Sequence, residues 1–558
     1  MSAHEILNQL LRYDLPRSLE IFAPELVLCG TIIFLLLARM LRWDRVVPVH
    51  VLALLGAMLV FFGVFAQFMF LRNASDSSLM TLFYRLWQIS ADGTGLPGPF
   101  FTGLMVHDPF GLFLRLSLAL FLVLIVSLTM LTGIPDQEDA QDFYTLIFGA
   151  TLGMMLAVSA NHLLMLFLSI EMMSLPSYMM IAFQKGKRQA SEGALKYVVY
   201  GAGAAGVMLY GISLLVGLLG TAELPLMASR ALLVLEGGLS QNSALSLTLL
   251  LGILMVLAGL AFKLALFPFH FWCPDAFEGA LAEVGAFLSV ASKIASFGLL
   301  VRFVLAFQGN APVLQELSLF LGVALGIIAI VSTTYGNLAA YQQTNLKRLL
   351  AYSTIAQSGY TIMAVAAMLV LLSAPRGAIL TLSAQTTQAM EALLYYLIVY
   401  LFMNLSAFAC VALLRNVLYS EEIDAYQGLF NGEPWIKMIC ICFGLSLISL
   451  IGIPPLAGFF GKFMVFHSVL AAGELHWSMW VVLAFGAINT VFSVFYYFRI
   501  FRAIFLSSQH AEFCRAEPQT LPGIYVMIVT VPVLALGASP LMADLSETAR
   551  WVAMSLLP

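Results

Sequence analysis

Five charged side chains sit where a charge is expensive. Lys263 lies inside SLTLLLGILMVLAGLAFKLALF, Lys293 inside VGAFLSVASKIASFGLLV and Lys462 inside GIPPLAGFFGKFMVF. Glu171 lies inside NHLLMLFLSIEMMSLPSYMMIAF, and Lys196 near the start of the run that opens SEGALKYVVY. An ammonium at the centre of a bilayer costs about 2.5–3.5 kcal/mol on insertion scales, so such a group faces protein or water and not lipid. Buried amines together with a carboxylate suit one kind of chemistry, the movement of ions across an apolar slab, and a desolvated amine lowers its pKa readily enough to trade protons. His270, in FPFHFW, titrates near neutrality and reads either as a cap at a span end or as a proton relay.

Each of these residues also has a plainer reading. Glu171 lies about ten residues from either end of its run, too deep for so short a side chain to snorkel; its plainer reading is a protonated, hydrogen-bonded structural carboxyl, against the functional role that an intramembrane ionisable group has by default. Lys196 follows Glu192 by four residues, the favourable order for a pair on one helix face. Pairing with Glu171 across helices is the alternative, and spacing leaves both open. Lys462 reads as a relay or as a side chain snorkelling from a re-entrant end. Lys263 gains least from packing alone; Lys293 has Ser289 and Ser292 nearby to hold water. Arg115 and Arg302 read as structural or interfacial.

The elements that must position these groups follow from composition. The chain has 558 residues, 61% of them hydrophobic and 10% charged, with a mean hydropathy of +0.95. Repeated apolar runs of roughly 20 residues mean an all-α polytopic membrane protein. About fourteen spans are expected, near 22–41, 46–71, 109–132, 143–160, 162–183, 193–219, 246–269, 279–306, 316–340, 348–372, 389–414, 436–471, 477–505 and 521–545. Pro268 follows Lys263 by five residues, removes the bond to the carbonyl of Leu264 and breaks the seventh span there. Pro454 and Pro455 break the twelfth, and Pro176 frees a carbonyl after Glu171. Broken helices beside ionisable groups mark ion pathways. The two broken spans lie five apart, so their helices run in opposite directions, as an inverted repeat requires. The chain then divides into 1–142 (three spans with an extended second loop), 143–306 and 316–505 (two five-span units) and 506–558 (a last span).

The connections at 72–108, 220–245 and 373–388 are polar and read as surface loops. Alternate loops hold most of the Lys and Arg, among them Arg39, Lys185, Lys187, Lys347, Arg415 and Arg502. The positive-inside rule puts those in the cytoplasm and both termini outside; the acidic PDQEDAQD at 135–142 falls on the cytoplasmic side. The first apolar segment reads as a retained helix and not as a signal peptide. No basic patch supports nucleic-acid binding. The six cysteines are scattered, Cys440 and Cys442 lack a second pair, and neither a zinc site nor a disulfide framework is indicated. No phosphate loop, dinucleotide fingerprint or haem motif occurs, so the chain is expected to carry no redox cofactor.

SIEMMSLPSYMMIAF, EGALKY, FKLALFPFHFWCPDAFEGA, FLSVASKIA, NLAAYQQTNLKRLLAYSTIAQSGY and GIPPLAGFFGKF, in that order, resemble the proton-translocating antiporter-like subunits of respiratory complex I, an NADH-quinone oxidoreductase. The resemblance runs from about 140 to 505. Lys462 and the short tail after the last span resemble the N type within that group. The resemblance implies two inverted five-helix units with discontinuous helices seven and twelve. It implies Glu171 as the acid of helix five, Lys196 as its neighbour, Lys263 as the central lysine, Lys293 as a connecting lysine, Lys462 as the exit lysine and His270 as a relay. FMN, iron–sulfur clusters and quinone would belong to partner subunits. The partners would be other membrane subunits in a prokaryotic inner membrane. One departure stands out: where the family reads GAPTPV after the PD bend, this chain reads GALAEV, losing both prolines and adding Glu283. The competing readings are a subunit of a cation/proton antiporter, a ferredoxin-driven relative, or a non-pumping scaffold. Five buried charges are hard to explain in a scaffold, and a lysine-rich axis favours protons over sodium.

Overall fold

The computed structural model describes residues 14–41, 48–72, 97–133, 139–236, 243–374, 379–507, 520–538 and 540–557. The PDQE of the acidic connection, most of the second loop, the first thirteen residues and parts of the loops near 240 and 376 lie outside them.

The described chain runs α1 (Leu15–Ile21), α2 (Ala23–Met40), α3 (Val49–Arg72), the hairpin β1 (Gly98–Phe100) and β2 (Met105–His107), α4 (Pro109–Thr132), α5 (Ala140–Val158), α6 (Leu163–Ile181) and α7 (Arg188–Leu219). It continues through α8 (Met227–Glu236), α9 (Ser243–Lys263), α10 (Trp272–Gly279), α11 (Ala282–Leu305), α12 (Pro312–Ala340), α13 (Leu346–Leu372) and α14 (Ile379–Leu418). The last elements are α15 (Pro434–Ile451), α16 (Ala457–Gly473), α17 (Ser478–Leu506), α18 (Thr520–Ala535) and α19 (Leu541–Leu556). Among the described residues thirteen helices are long and apolar enough to cross a membrane, and α18, at 16 residues, is a shorter apolar one. Lipid offers no hydrogen bonds, so helices that close their own backbone bonds are what this composition must form.

Both expected breaks are present. α9 ends at Lys263, several residues ahead of Pro268, and the chain resumes as α10. The residue before a proline is already pushed out of helical geometry, and Ala265 adopts a left-handed φ of 54°, so the unwound stretch starts earlier than the proline alone requires. α15 stops at Ile451 and α16 starts at Ala457, with Pro454 and Pro455 between them. Two features differ from expectation, the end of the last span and the content of the loops. The last span ends at Ala535, and a separate amphipathic α19 follows, because Gly537 and Pro540 interrupt the run. The loops hold regular structure, namely the β1–β2 hairpin, α8 and the first turns of α14.

Helix ends gather into two groups. At one, Val106 donates to the Ser159 carbonyl, Leu163 to that of Ala222 and Leu224 to that of Asn161. At the other, Arg39 pairs with Asp142, Lys185 with Asp139, and Leu346 donates to the Glu421 carbonyl. α11 is the spine, since every residue of its apolar window is buried, and α13 is nearly as enclosed. By contrast α2, α7 and α17 bury only 28% of theirs. Arg115 and Arg302 hold helices together: Arg115 meets Glu25 of α2 at 2.5 Å, and Arg302 meets Asp108 at 2.7 Å and the Val158 carbonyl at 2.6 Å.

Candidate functional site in the membrane interior

Lys263 closes α9, so its side chain leaves the helix where the backbone unwinds. Its ammonium, 2% exposed, donates to the Tyr197 hydroxyl at 3.0 Å and stands over the Tyr178 and Tyr197 rings. The Tyr197 ring stacks on Trp272, centroids 4.0 Å apart, and the Trp272 indole donates to the Phe262 carbonyl at 3.0 Å. That carbonyl, at the C-terminal end of α9, also accepts from the Ala265 N–H at 3.0 Å. Glu171 of α6 and Lys263 line one small cavity of about 10 Å³ together with Ser174, Tyr178 and Gly201. The volume is that of about one water. A Cβ on Gly201 would lie 2.0 Å from the Tyr178 hydroxyl, whereas Gly203 and Gly206 face open space. Of that glycine run, Gly201 is the member that admits a neighbour's side chain.

Lys196 is placed elsewhere. Its ammonium meets Glu192 at 2.8 Å and Asp275 at 2.6 Å. Of the two partners that spacing left open, the structure takes the one on the same helix and adds Asp275, and the ion pairs of Lys196 do not include Glu171. Place in the fold accounts for this: Lys196 is on the first turns of a helix whose N-terminal part packs on α10, and Glu171 is mid-helix.

Lys293, on the spine, is 3% exposed. Its ammonium donates to the Thr354 carbonyl at 2.5 Å and to the Ser358 hydroxyl, both on α13. Three residues beyond Thr354, Gln357 donates to the Leu450 carbonyl at 3.0 Å and accepts from the Tyr396 hydroxyl. Lys462 donates to that same Leu450 carbonyl and to that of Ile451, each at 3.0 Å, and stands 4.3 Å above the Tyr360 ring. These two carbonyls end α15, so the lysine of α16 supplies donors that the break removed. Lys293 and Lys462 are thus joined through one face of α13. No hydrogen bond among the described residues joins that line to Lys263.

His270 lies in the unwound stretch, 1% exposed, between Phe267, Phe271 and Tyr335. Neither ring nitrogen has a hydrogen-bond partner among the described residues. Glu283 sits in the first turn of α11, 2% exposed, and neither carboxylate oxygen has one either. The helix starts there without the family's prolines.

Residues 160–373 and 377–493 match the model of the family described as NADH:quinone oxidoreductase/Mrp antiporter, transmembrane. The chain belongs to that family. An Anaeromyxobacter relative named NADH-quinone oxidoreductase subunit N is 38% identical over 78% of this chain and 82% of its own. A Sorangium cellulosum relative named NADH-quinone oxidoreductase subunit N 2 is 33% identical over 93% of this chain and 94% of its own. A chain of respiratory complex I from Thermus thermophilus superposes with a TM-score of 0.68 at 27% identity, covering 93% of this chain and 98% of that one. A chain of the Mrp complex from Dietzia gives 0.69 at 19% identity, covering 97% and 100%, and shows the fold alone.

Within this NADH:quinone oxidoreductase/Mrp family chain, three residues of the site carry no mark that spacing analysis would catch. Gln357 is uncharged and lies in the middle of a span, three residues after Thr354. Asp275 and Arg348 lie at helix ends, where charges are ordinary. Their signal was the company they keep: Asp275 follows the break by a few residues, and Arg348 opens the helix that carries Gln357.

Proposed function

We propose that this chain is the N-type proton-translocating membrane subunit of an NADH-quinone oxidoreductase, moving protons as quinone is reduced elsewhere in the complex. The observation that carries the reading is the row of polar groups along one face of α13: Lys293 donates to the Thr354 carbonyl, and three residues on Gln357 shares the Leu450 carbonyl with Lys462. Such a line of polar groups costs burial energy that packing alone does not return. In it the lysines hold and release protons, while Gln357, which donates and accepts but does not titrate, sits between the two lysine groups and shares a carbonyl with Lys462. Glu171 shares a cavity with Lys263, so protonating the carboxylate changes the field at the amine without any backbone motion. His270, lodged in the break, acts as a relay when a water or a moving side chain reaches its nitrogens.

The chain acts as a transducer without redox chemistry of its own; FMN, iron–sulfur clusters and quinone sit in partner subunits. Its partners are the neighbouring membrane subunits of the complex and the lipid of a prokaryotic inner membrane, with both termini outside the cytoplasm. The two five-helix units at 143–306 and 316–505 each contribute one broken helix. The test is proton uptake by vesicles holding the whole complex, with quinone reduction recorded alongside. Lys263→Ala should cut protons moved per quinone reduced by at least about tenfold, the lower range for loss of a proton-transfer group being about a hundredfold. Normal pumping by the assembled variant sinks the reading. Uptake that follows sodium instead of protons would favour the antiporter.

A further inference from the structure

At the end of the molecule where Lys196 sits, five charges form one unbroken array. Glu192 and Asp275 hold the Lys196 ammonium at 2.8 and 2.6 Å. The other oxygen of Asp275 meets the Arg348 guanidinium at 2.5 Å, and Arg348 meets Glu278 at 2.6 Å. Lys196 belongs to α7 and Arg348 to α13, so the array runs from one five-helix unit to the other, and Asp275 is the member that both cations share. The pairs are partly buried: the Asp275 side chain is 23% exposed and that of Arg348 29%.

α10, which carries Asp275, touches both lysine groups. Trp272 at its first turn stacks on Tyr197, the residue that holds Lys263. Cys273 lies 4.0 Å from the Ala351 carbonyl of α13, three residues before Thr354, which holds Lys293. The backbone is fitted for this contact, because a Cβ on Gly193 of α7 would lie 2.6 Å from the Asp275 carbonyl oxygen. α10 is short and follows an unwound stretch, so its placement depends on what its side chains grip.

We propose that Asp275 is a positioning residue that couples the two halves of the proton path: Lys196 and Arg348 compete for one carboxylate, and a shift of either cation changes the hold on the other. When Lys196 leaves Asp275, the carboxylate's whole charge falls to Arg348, and α10 is gripped from α13 alone. Tyr197 and Lys263 then lose the brace that Trp272 provides, while the start of α13 tightens. The proposal rests on the pumping role argued above.

The experiment compares protons moved per quinone reduced in vesicles of the whole complex. Asp275→Asn should lower that ratio at least about threefold while quinone reduction in uncoupled vesicles persists, and Asp275→Glu should restore it. Arg348→Gln should lower the ratio on its own but add nothing when Asp275 is already Asn, because the coupling passes through that carboxylate. An unchanged ratio in Asp275→Asn overturns the proposal, as do effects of the two substitutions that multiply independently. A loss of assembled complex with a normal ratio per complex also overturns it, since that marks a merely structural pair. Should Asp275→Asn not assemble, Arg348→Gln decides alone, an unchanged ratio again being fatal. Lys263→Ala, run in parallel, separates the two ideas: if it pumps normally, the pumping role itself has failed. If Lys263→Ala stops pumping and Asp275→Asn does not, the coupling alone has failed.

Discussion

At the scale of single residues, what matters is which groups can let a proton go. Lys462→Arg keeps the charge and can still donate to the Leu450 and Ile451 carbonyls, but a guanidinium does not release its proton in a protein. Pumping should fall by about tenfold or more, whereas Lys462→His should retain part of it because imidazole still cycles. Wild-type proton uptake by Lys462→Arg vesicles would reduce the residue to a fixed positive charge. Glu171→Gln should impair uptake more than Glu171→Asp, and equal activity of all three would mean a structural carboxyl. Gln357→Leu removes the amide between Lys293 and Lys462 at nearly constant volume; uptake should drop severalfold, and an unchanged rate would show that the line conducts without it. The lysines and Glu171 were legible in the sequence because a charge inside an apolar run is costly and therefore conspicuous. Gln357 was not, since a neutral amide in such a run costs far less and its partner is a backbone carbonyl, which no sequence pattern displays. Of the two partners of Lys196, Glu192 was legible four residues away and Asp275 was not: periodicity finds neighbours on one helix, and Asp275 reaches it from another.

At the scale of elements, the proline signals gave both breaks, yet not their extent. α9 stops at Lys263 because the unwound segment must seat Phe267, whose N–H finds the Ser332 hydroxyl of α12 at 3.0 Å, a contact that only the folded neighbour supplies. The end of the last span was misjudged for a related reason. α19 continues the apolar count, and only Gly537 with Pro540 shows that the chain turns to lay a second helix against α14. The close crossing of α6 and α7 is open to test. Gly201→Ala puts a methyl where the Tyr178 hydroxyl now sits, and overpacking of this kind costs about 1–3 kcal/mol. The assembled complex should lose thermal stability and also pumping, because Tyr178 walls the cavity of Glu171 and Lys263. Gly203→Ala, facing open space within the chain, should leave this subunit's own stability unchanged. A Gly201→Ala complex that melts and pumps as the parent does would show that Tyr178 has room to step aside.

At the scale of the whole molecule, the two groups of helix ends match the alternation expected of the loops, and the basic ones lie together. Placing that group in the cytoplasm predicts that a cysteine introduced at Ser420 is labelled by a membrane-impermeant maleimide only in inside-out vesicles. One introduced at Asn310 should be labelled only in right-side-out ones; the reverse pattern would invert the orientation. The enclosure of α11 carries a different consequence. A transporter that works by alternating access rocks one half against the other and needs a surface along which the halves slide. α11 offers none: α4, α5, α13 and α14 all pack on it, and its whole apolar window is covered. A close-packed interior resists such shear, which predicts that the two proposed halves stay fixed to one another during turnover. Traffic along the proposed path would then be left to rotamer changes and exchanging hydrogen bonds of buried side chains, without the domain rocking that takes microseconds to milliseconds. Cross-linking the halves through α11 should therefore leave the turnover of this subunit intact, which no rocking transporter would survive.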